Sequence, residues 1–142
     1  MNALIETLEP EFGCTVGELL SRLLGLTGRT WVITSGRRTM SEQQRLYDQG
    51  RTVAGKVVTN AKPGQSAHNF GLAADLAPLQ ESGTGIDWNA PRHLWQIMAD
   101  TAQEMGLVAG FYFHSIVDMP HVESSTWKAA QAEWRAGRLD VA

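Results

Sequence analysis

The chain has 142 residues, near the commonest size for one domain, and its 43% hydrophobic content is enough for a single core. Its formal net charge of -3 leaves no basic stripe, which argues against nucleic acid and against an anionic membrane surface as partners. No apolar run approaches the roughly 18 residues of a membrane span, and MNALIETLEPEF carries acids where a secretory signal carries bases, so neither stable membrane insertion nor an export signal is expected.

The first element in CTVGELLSRLLGL is a helix. Thr15 and Glu18 have capping-box spacing, and Leu19, Leu20, Leu23 and Leu24 supply an apolar face. Cys14 is the single cysteine, which excludes an internal disulfide framework and fits synthesis in a reducing cytoplasm. TWVIT (30–34) reads as a strand that runs into the turn SGRR. A second capping box, Ser41 with Gln44, opens a helix that ends at Gly50. Residues 52–66 carry irregular signals and read as loop. GLAADLA (71–77) is short and apolar enough for a buried strand, with Asp75 inside it. Pro91 opens a helix with Leu94, Ile97, Met98, Thr101 and Met105 on one side, closed by Gly106. LVAGFYF and SIVDM read as a final strand pair, followed by a helix from about Ser125 through Trp134. Helices and short strands without a βαβ rhythm favour an α+β fold in one domain, 1–142. Most of the five tryptophans are expected in the core.

Four ionisable residues sit where a core pattern calls for apolar ones: His68, Asp75, Asp118 and His121. A lone buried histidine is more often a hydrogen-bonded core residue than a ligand. A carboxylate inside a strand is rarer, because burial without a partner costs several kcal/mol, and it calls for a cation or a cluster of donors. Two neutral imidazoles and one carboxylate form a borderline donor set suited to Zn2+, with a fourth tetrahedral position left for water. Six residues separate His68 from Asp75, so the two would come from a loop and an adjoining strand, with Gly71 permitting the turn between them. Pro120 in DMPH would bring Asp118 and His121 toward one site, Asp118 serving as the base that takes a proton. His114 competes with His121 for the second imidazole role or for a substrate contact, and Glu123 competes with Asp118 as base. His93, beside Arg92 in a helix, reads as surface or packing. Arg37 reads as a solvated turn residue, whereas Arg38 is either the same or a bidentate anchor for a substrate carboxylate.

These residues resemble the motifs of the peptidoglycan-cleaving metallopeptidases of the VanY and endolysin type, the LAS family. Ser66, His68, Gly71, Ala73 and Asp75 match S-x-H-x-x-G-x-A-x-D, and Asp118, Pro120 and His121 match D-x-P-H. Upstream, Arg38 matches the family's S-G-x-R segment, and Gln43, Leu46, Tyr47 and Arg51 match the positions after it. Residues 55–76 are similar to the L-alanyl-D-glutamate peptidase branch. The resemblance covers roughly residues 30 to 123. It implies His68, Asp75 and His121 as zinc ligands, Asp118 as catalytic base, Arg38 as substrate and oxyanion contact, and Gln43 and Ser66 as substrate-binding. It further implies a small antiparallel sheet flanked by helices, of the hedgehog or DD-peptidase type, and peptidoglycan stem peptides as substrate. VAGFYFHS stands where many relatives have a tryptophan and glycine pair, which leaves contacts there open. The expectation is a monomeric endolysin-like zinc endopeptidase without a separate wall-binding domain. It would be made in the host cytoplasm and reach the wall after release, through a holin if of phage origin. A D-Ala-D-Ala carboxypeptidase or dipeptidase, or an inactive zinc-containing binding module, are the alternatives.

Overall fold

Phe12, Val16, Leu19 and Leu23 recur at helical spacing, and all four are buried along one face of helix α1 (Pro10–Thr27). That face packs on strand β1 (Trp31–Ser35) and on helix α3 (Arg92–Glu104), which contributes Leu94, Trp95 and Met98 to the same cluster. Trp31 and Trp95 meet edge to face, with ring centroids 5.6 Å apart. These elements belong to a computed structural model that describes residues 3–142; the first two residues of the segment read as lacking an export signal lie outside it.

The sheet has four strands in the order β1, β2 (Ala73–Pro78), β4 (His121–Ser124) and β3 (Leu107–Ala109), each antiparallel to its neighbour. Its two faces differ in chemistry because side chains alternate along a strand. Ala74, Leu76 and Val122 point into the core. Asp75, His121 and Glu123, offset from them by one residue, stand on the other face. Helix α2 (Met40–Asp48) and helix α4 (Trp127–Arg135) complete the α+β arrangement expected from the sequence, and α4 packs on the 3-10 turn Ala67–Phe70. Among the described residues no helix is long and apolar enough to cross a membrane.

Several boundaries differ from expectation for identifiable reasons. Helix α1 begins five residues before Thr15, because Pro10 suits a first helical turn and the Glu9 carboxylate accepts hydrogen bonds from the amides of Glu11 and Phe12. Thr15 lies inside the helix and donates to the Glu11 carbonyl instead. The capping box of α2 is made by Thr39 and Glu42, with bonds of 3.1 and 3.0 Å, not by Ser41 and Gln44. Strand β2 starts at Ala73, since Gly71 holds a left-handed φ of 69° as the cap of the preceding turn.

The final strand pair also differs. After Ala109 the chain enters a 3-10 turn, Gly110–Tyr112, and residues 115–119 are loop rather than strand. The partner of β3 is β4, whose sequence HVES gives little apolar signal because His121 and Glu123 face a polar cleft. Of the tryptophans, Trp31 and Trp95 are core, Trp127 and Trp134 are half-buried, and Trp88 is exposed with one face stacked on Trp95.

Candidate metal centre

Asp75 and His121 are paired across neighbouring antiparallel strands, which places their side chains on one face. Asp75 Oδ1 lies 3.3 Å from His121 Nδ1 and 3.5 Å from His68 Nε2. His68 arrives from the 3-10 turn Ala67–Phe70, where Ser66 Oγ accepts the His68 amide. One donor atom from each of the three residues falls within 4.8 Å of the others.

The partner of each ring fixes which nitrogen faces inward. His68 Nδ1 lies 2.8 Å from the Gly36 carbonyl, which can only accept, so Nδ1 carries the proton and Nε2 presents a lone pair to Asp75. His121 Nε2 donates to Glu123 Oε1 at 2.7 Å, leaving Nδ1 toward Asp75. Asp75 Oδ1 is buried and accepts no hydrogen bond. A buried carboxylate oxygen without a donor, faced by an imidazole lone pair, is a site that a cation completes.

In the metal-free chain the same groups are coupled, and a cation would displace the proton that Asp75 draws onto His121. Burial pushes the Asp75 carboxyl up, but the facing His121 and His68 rings overcome it and hold it below the usual carboxylate range. Burial disfavours a charged His121, yet Asp75 and Glu123 outweigh this and push it up to about 9. Asp118 is shifted upward, first by burial and then by repulsion from Asp75. Arg38 is shifted downward by burial, against the pull of Asp75, Glu42 and Asp118.

Asp118 comes to the site through a tight turn: the His121 amide donates to the Asp118 carbonyl, and Asp118 Oδ2 lies 3.9 Å from His121 Nδ1. The three ligand candidates and Asp118 line an open cleft of about 380 Å3, walled also by Arg38, Ser66, Phe113 and Trp127. The family model described as VanY, D-alanyl-D-alanine carboxypeptidase, matches residues 18–128.

The chain belongs to the VanY family.

It is 38% identical over 99 residues to the peptidoglycan L-alanyl-D-glutamate endopeptidase CwlK of Bacillus subtilis (strain 168). That match covers 65% of this chain and 59% of the relative, so the chain spans less than two thirds of that relative's length. Solved structures share the VanY-like fold. The L-Ala D-Glu endopeptidase ChiX of Serratia marcescens aligns with a TM-score of 0.58 at 16% identity, over 88% of this chain and 86% of that one. A vancomycin-resistance D,D-pentapeptidase VanY, solved in complex with Zn(II), aligns with a TM-score of 0.61 at 18% identity, over 92% and 79%.

The remaining site candidates of this VanY-family chain divide by accessibility. Arg38 is part-buried beside the cleft and donates from Nη1 to Gln43 Oε1 at 2.9 Å. Gln43 itself is fully buried, with Nε2 donating to the Ala61 carbonyl at 2.7 Å. A direct substrate contact is therefore closed to Gln43, in correction of the sequence expectation; both ends of its amide serve to fix Arg38 and the loop at Ala61. His93 and His114 are exposed and do not line the cleft. Arg37 is exposed but not free, since its Nε donates to the Thr7 carbonyl. Glu123, which the sequence presents only as an alternative base, holds the outer nitrogen of His121. The spacing His-x-Glu shows this relation once β4 is recognised as a strand. The Gly36 carbonyl carries no side-chain signal at all.

Proposed function

We propose that this chain is a zinc peptidase that cleaves the L-Ala to D-Glu bond of peptidoglycan stem peptides. The observation that carries the metal reading is the convergence of His68 Nε2, Asp75 Oδ1 and His121 Nδ1 on one buried point where Asp75 Oδ1 has no other partner. These three residues would hold the ion. Bound zinc supplies a Lewis acid that polarises the scissile carbonyl and lowers the pKa of water to about 7. Asp118, its proton affinity raised by burial and by Asp75, takes a proton from the attacking water and can return it to the leaving amine. Arg38 directs its guanidinium to the charge that develops on the carbonyl oxygen, while Ser66 and Trp127 shape the cleft beside it.

Support for the bond comes from CwlK, the curated relative at 38% identity. The family description favours a second reading, removal of a terminal D-alanine. Digestion of purified peptidoglycan separates the two: new N-terminal D-Glu is expected, and free D-Ala without it would overturn the bond assignment. Metal analysis of the purified chain tests the chemistry, and a zinc content well below about one per chain would sink the metallopeptidase reading.

A further inference from the structure

Thr7 lies in the 3-10 helix Ala3–Thr7, thirty residues before the Gly36–Arg37 peptide and outside every motif of the site. That peptide group is held at both ends. Its carbonyl, from Gly36, receives His68 Nδ1 at 2.8 Å. Its amide, from Arg37, donates to Thr7 Oγ1 at 2.9 Å. The Thr7 hydroxyl in turn donates to the Leu4 carbonyl at 2.7 Å, which turns its lone pairs toward Arg37. A Cβ at residue 36 would run into Thr7 Oγ1 and stand 3.1 Å from the Leu4 carbonyl, so the close approach depends on glycine at that position. A second tie fixes the same strand end, because Arg37 Nε donates to the Thr7 carbonyl at 3.0 Å.

We infer that Thr7 is a positioning residue for the metal centre, acting through the Gly36–Arg37 peptide to hold His68 as the Nδ1-protonated tautomer with Nε2 free for a metal. Hydrogen bonds in a chain polarise one another: donation from the Arg37 amide to Thr7 makes the Gly36 carbonyl a stronger acceptor. Without the hydroxyl, the Arg37 amide turns to water, the peptide plane gains freedom, and the Nε2-protonated tautomer, useless to a metal at that position, becomes competitive. The inference rests on the metal reading for its consequence but not for its first measurement.

The test is nitrogen-15 NMR of the His68 ring in the metal-free chain, with zinc affinity measured separately against a competing chelator. Thr7→Val removes the hydroxyl at nearly constant shape. It should shift His68 toward the Nε2-protonated form and weaken zinc binding several-fold, less than the ~10- to 100-fold lost when a direct partner of a metal ligand is removed. Thr7→Ser keeps the hydroxyl and should restore both properties. An unchanged tautomer in Thr7→Val, or an equal loss in Thr7→Ser, overturns the inference. If neither variant folds, amide exchange in the wild-type chain decides: the Arg37 amide should exchange slowly although the residue is exposed, and rapid exchange would refute the bond to Thr7. Absence of zinc binding in the wild-type chain, with the tautomer shift intact, would count against the metal reading alone.

Discussion

Glu123 Oε1 lies 2.7 Å from His121 Nε2, on the edge of the ring away from Asp75. The pair is an i, i+2 relation on one face of β4, so the strand itself sets the distance. An outer carboxylate of this kind fixes the tautomer and raises the basicity of the inner nitrogen. Glu123→Ala should weaken zinc binding ~10- to 100-fold, while Glu123→Gln, which retains an acceptor, should lose much less. Isothermal titration with zinc measures both; equal affinities across the series would remove Glu123 from the site.

The metal-free chain should lose stability as the pH rises from about 6.5 to about 9. His121 is at 6.5 when unfolded and pushed up to about 9 when folded, because Asp75 and Glu123 outweigh its burial. Below 6.5 both states carry the proton and the contribution is fully present. Between the two values the folded state binds more protons than the unfolded one, so unfolding free energy falls with pH. The loss is of the order of 1–3 kcal/mol. Asp75 acts in the opposite sense: its folded value lies below the usual range, so its contribution is lost only as acid protonates it. Chelator-treated protein unfolded in urea across this range gives the answer, and His121→Gln should flatten the alkaline limb.

The convergence of His68, Asp75 and His121 is legible in the sequence in part because burying a carboxylate or an imidazole in an apolar run is costly enough to require a reason, and Asp75 and His68 both stand in such runs. The α+β architecture is legible from helical periodicity and from short apolar runs that lack a βαβ rhythm. The strand β4 is not: its four residues HVES carry one apolar side chain, Val122, since His121 and Glu123 face the cleft, and so short an alternation is too weak a signal. Gln43 escapes sequence reasoning for a related cause. A motif match shows that a residue matters, but only the fold shows that its amide is fully buried between Arg38 and the Ala61 carbonyl.

Gly110 is expected to tolerate no side chain. A Cβ there would collide with the Asp118 carbonyl and come within 2.9 Å of His121 Cβ, and the Gly110 carbonyl accepts the Asp118 amide at 3.0 Å. Gly110→Ala must push the turn that carries both residues, with a stability loss of about 1–3 kcal/mol from overpacking and a larger proportional loss of zinc affinity. Gly25, in α1 with nothing near its Cβ direction, is the control: Gly25→Ala should be stabilising by about 0.5–1 kcal/mol with activity intact. Thermal melts of the two variants, read beside zinc titrations, test the contrast.

Arg38 and Gln43 should behave as a unit. Gln43→Leu leaves the Arg38 guanidinium without its acceptor and the Ala61 carbonyl without its donor, at a stability loss of about 1–3 kcal/mol. Arg38→Ala should lower kcat ~10²- to 10³-fold, the usual range for a donor aimed at a developing oxyanion, with zinc binding retained. A change confined to KM would instead assign Arg38 to ground-state substrate binding. The double variant should lose little more activity than Arg38→Ala alone, since Gln43 acts through Arg38.

Asp118 gives the sharpest separation between holding a metal and using it. Its carboxylate is half exposed, and its Oδ2 lies 3.9 Å from His121 Nδ1, farther than either imidazole lies from Asp75 Oδ1. It thus stands beside His68, Asp75 and His121 without joining their cluster. Burial first, and then repulsion from Asp75, raise its proton affinity, the direction that suits a general base. Asp118→Asn keeps the shape of the turn and removes the base. This variant should fold, bind zinc within a few-fold of wild type, and lose ~10²- to 10⁴-fold in kcat on peptidoglycan fragments. Because removing Asp118 takes one negative charge from beside the bound dication and relieves its repulsion of Asp75 in the metal-free chain, zinc affinity should if anything fall slightly. A variant that loses zinc together with activity would make Asp118 a ligand, and one that keeps full activity would pass the role of base to another group.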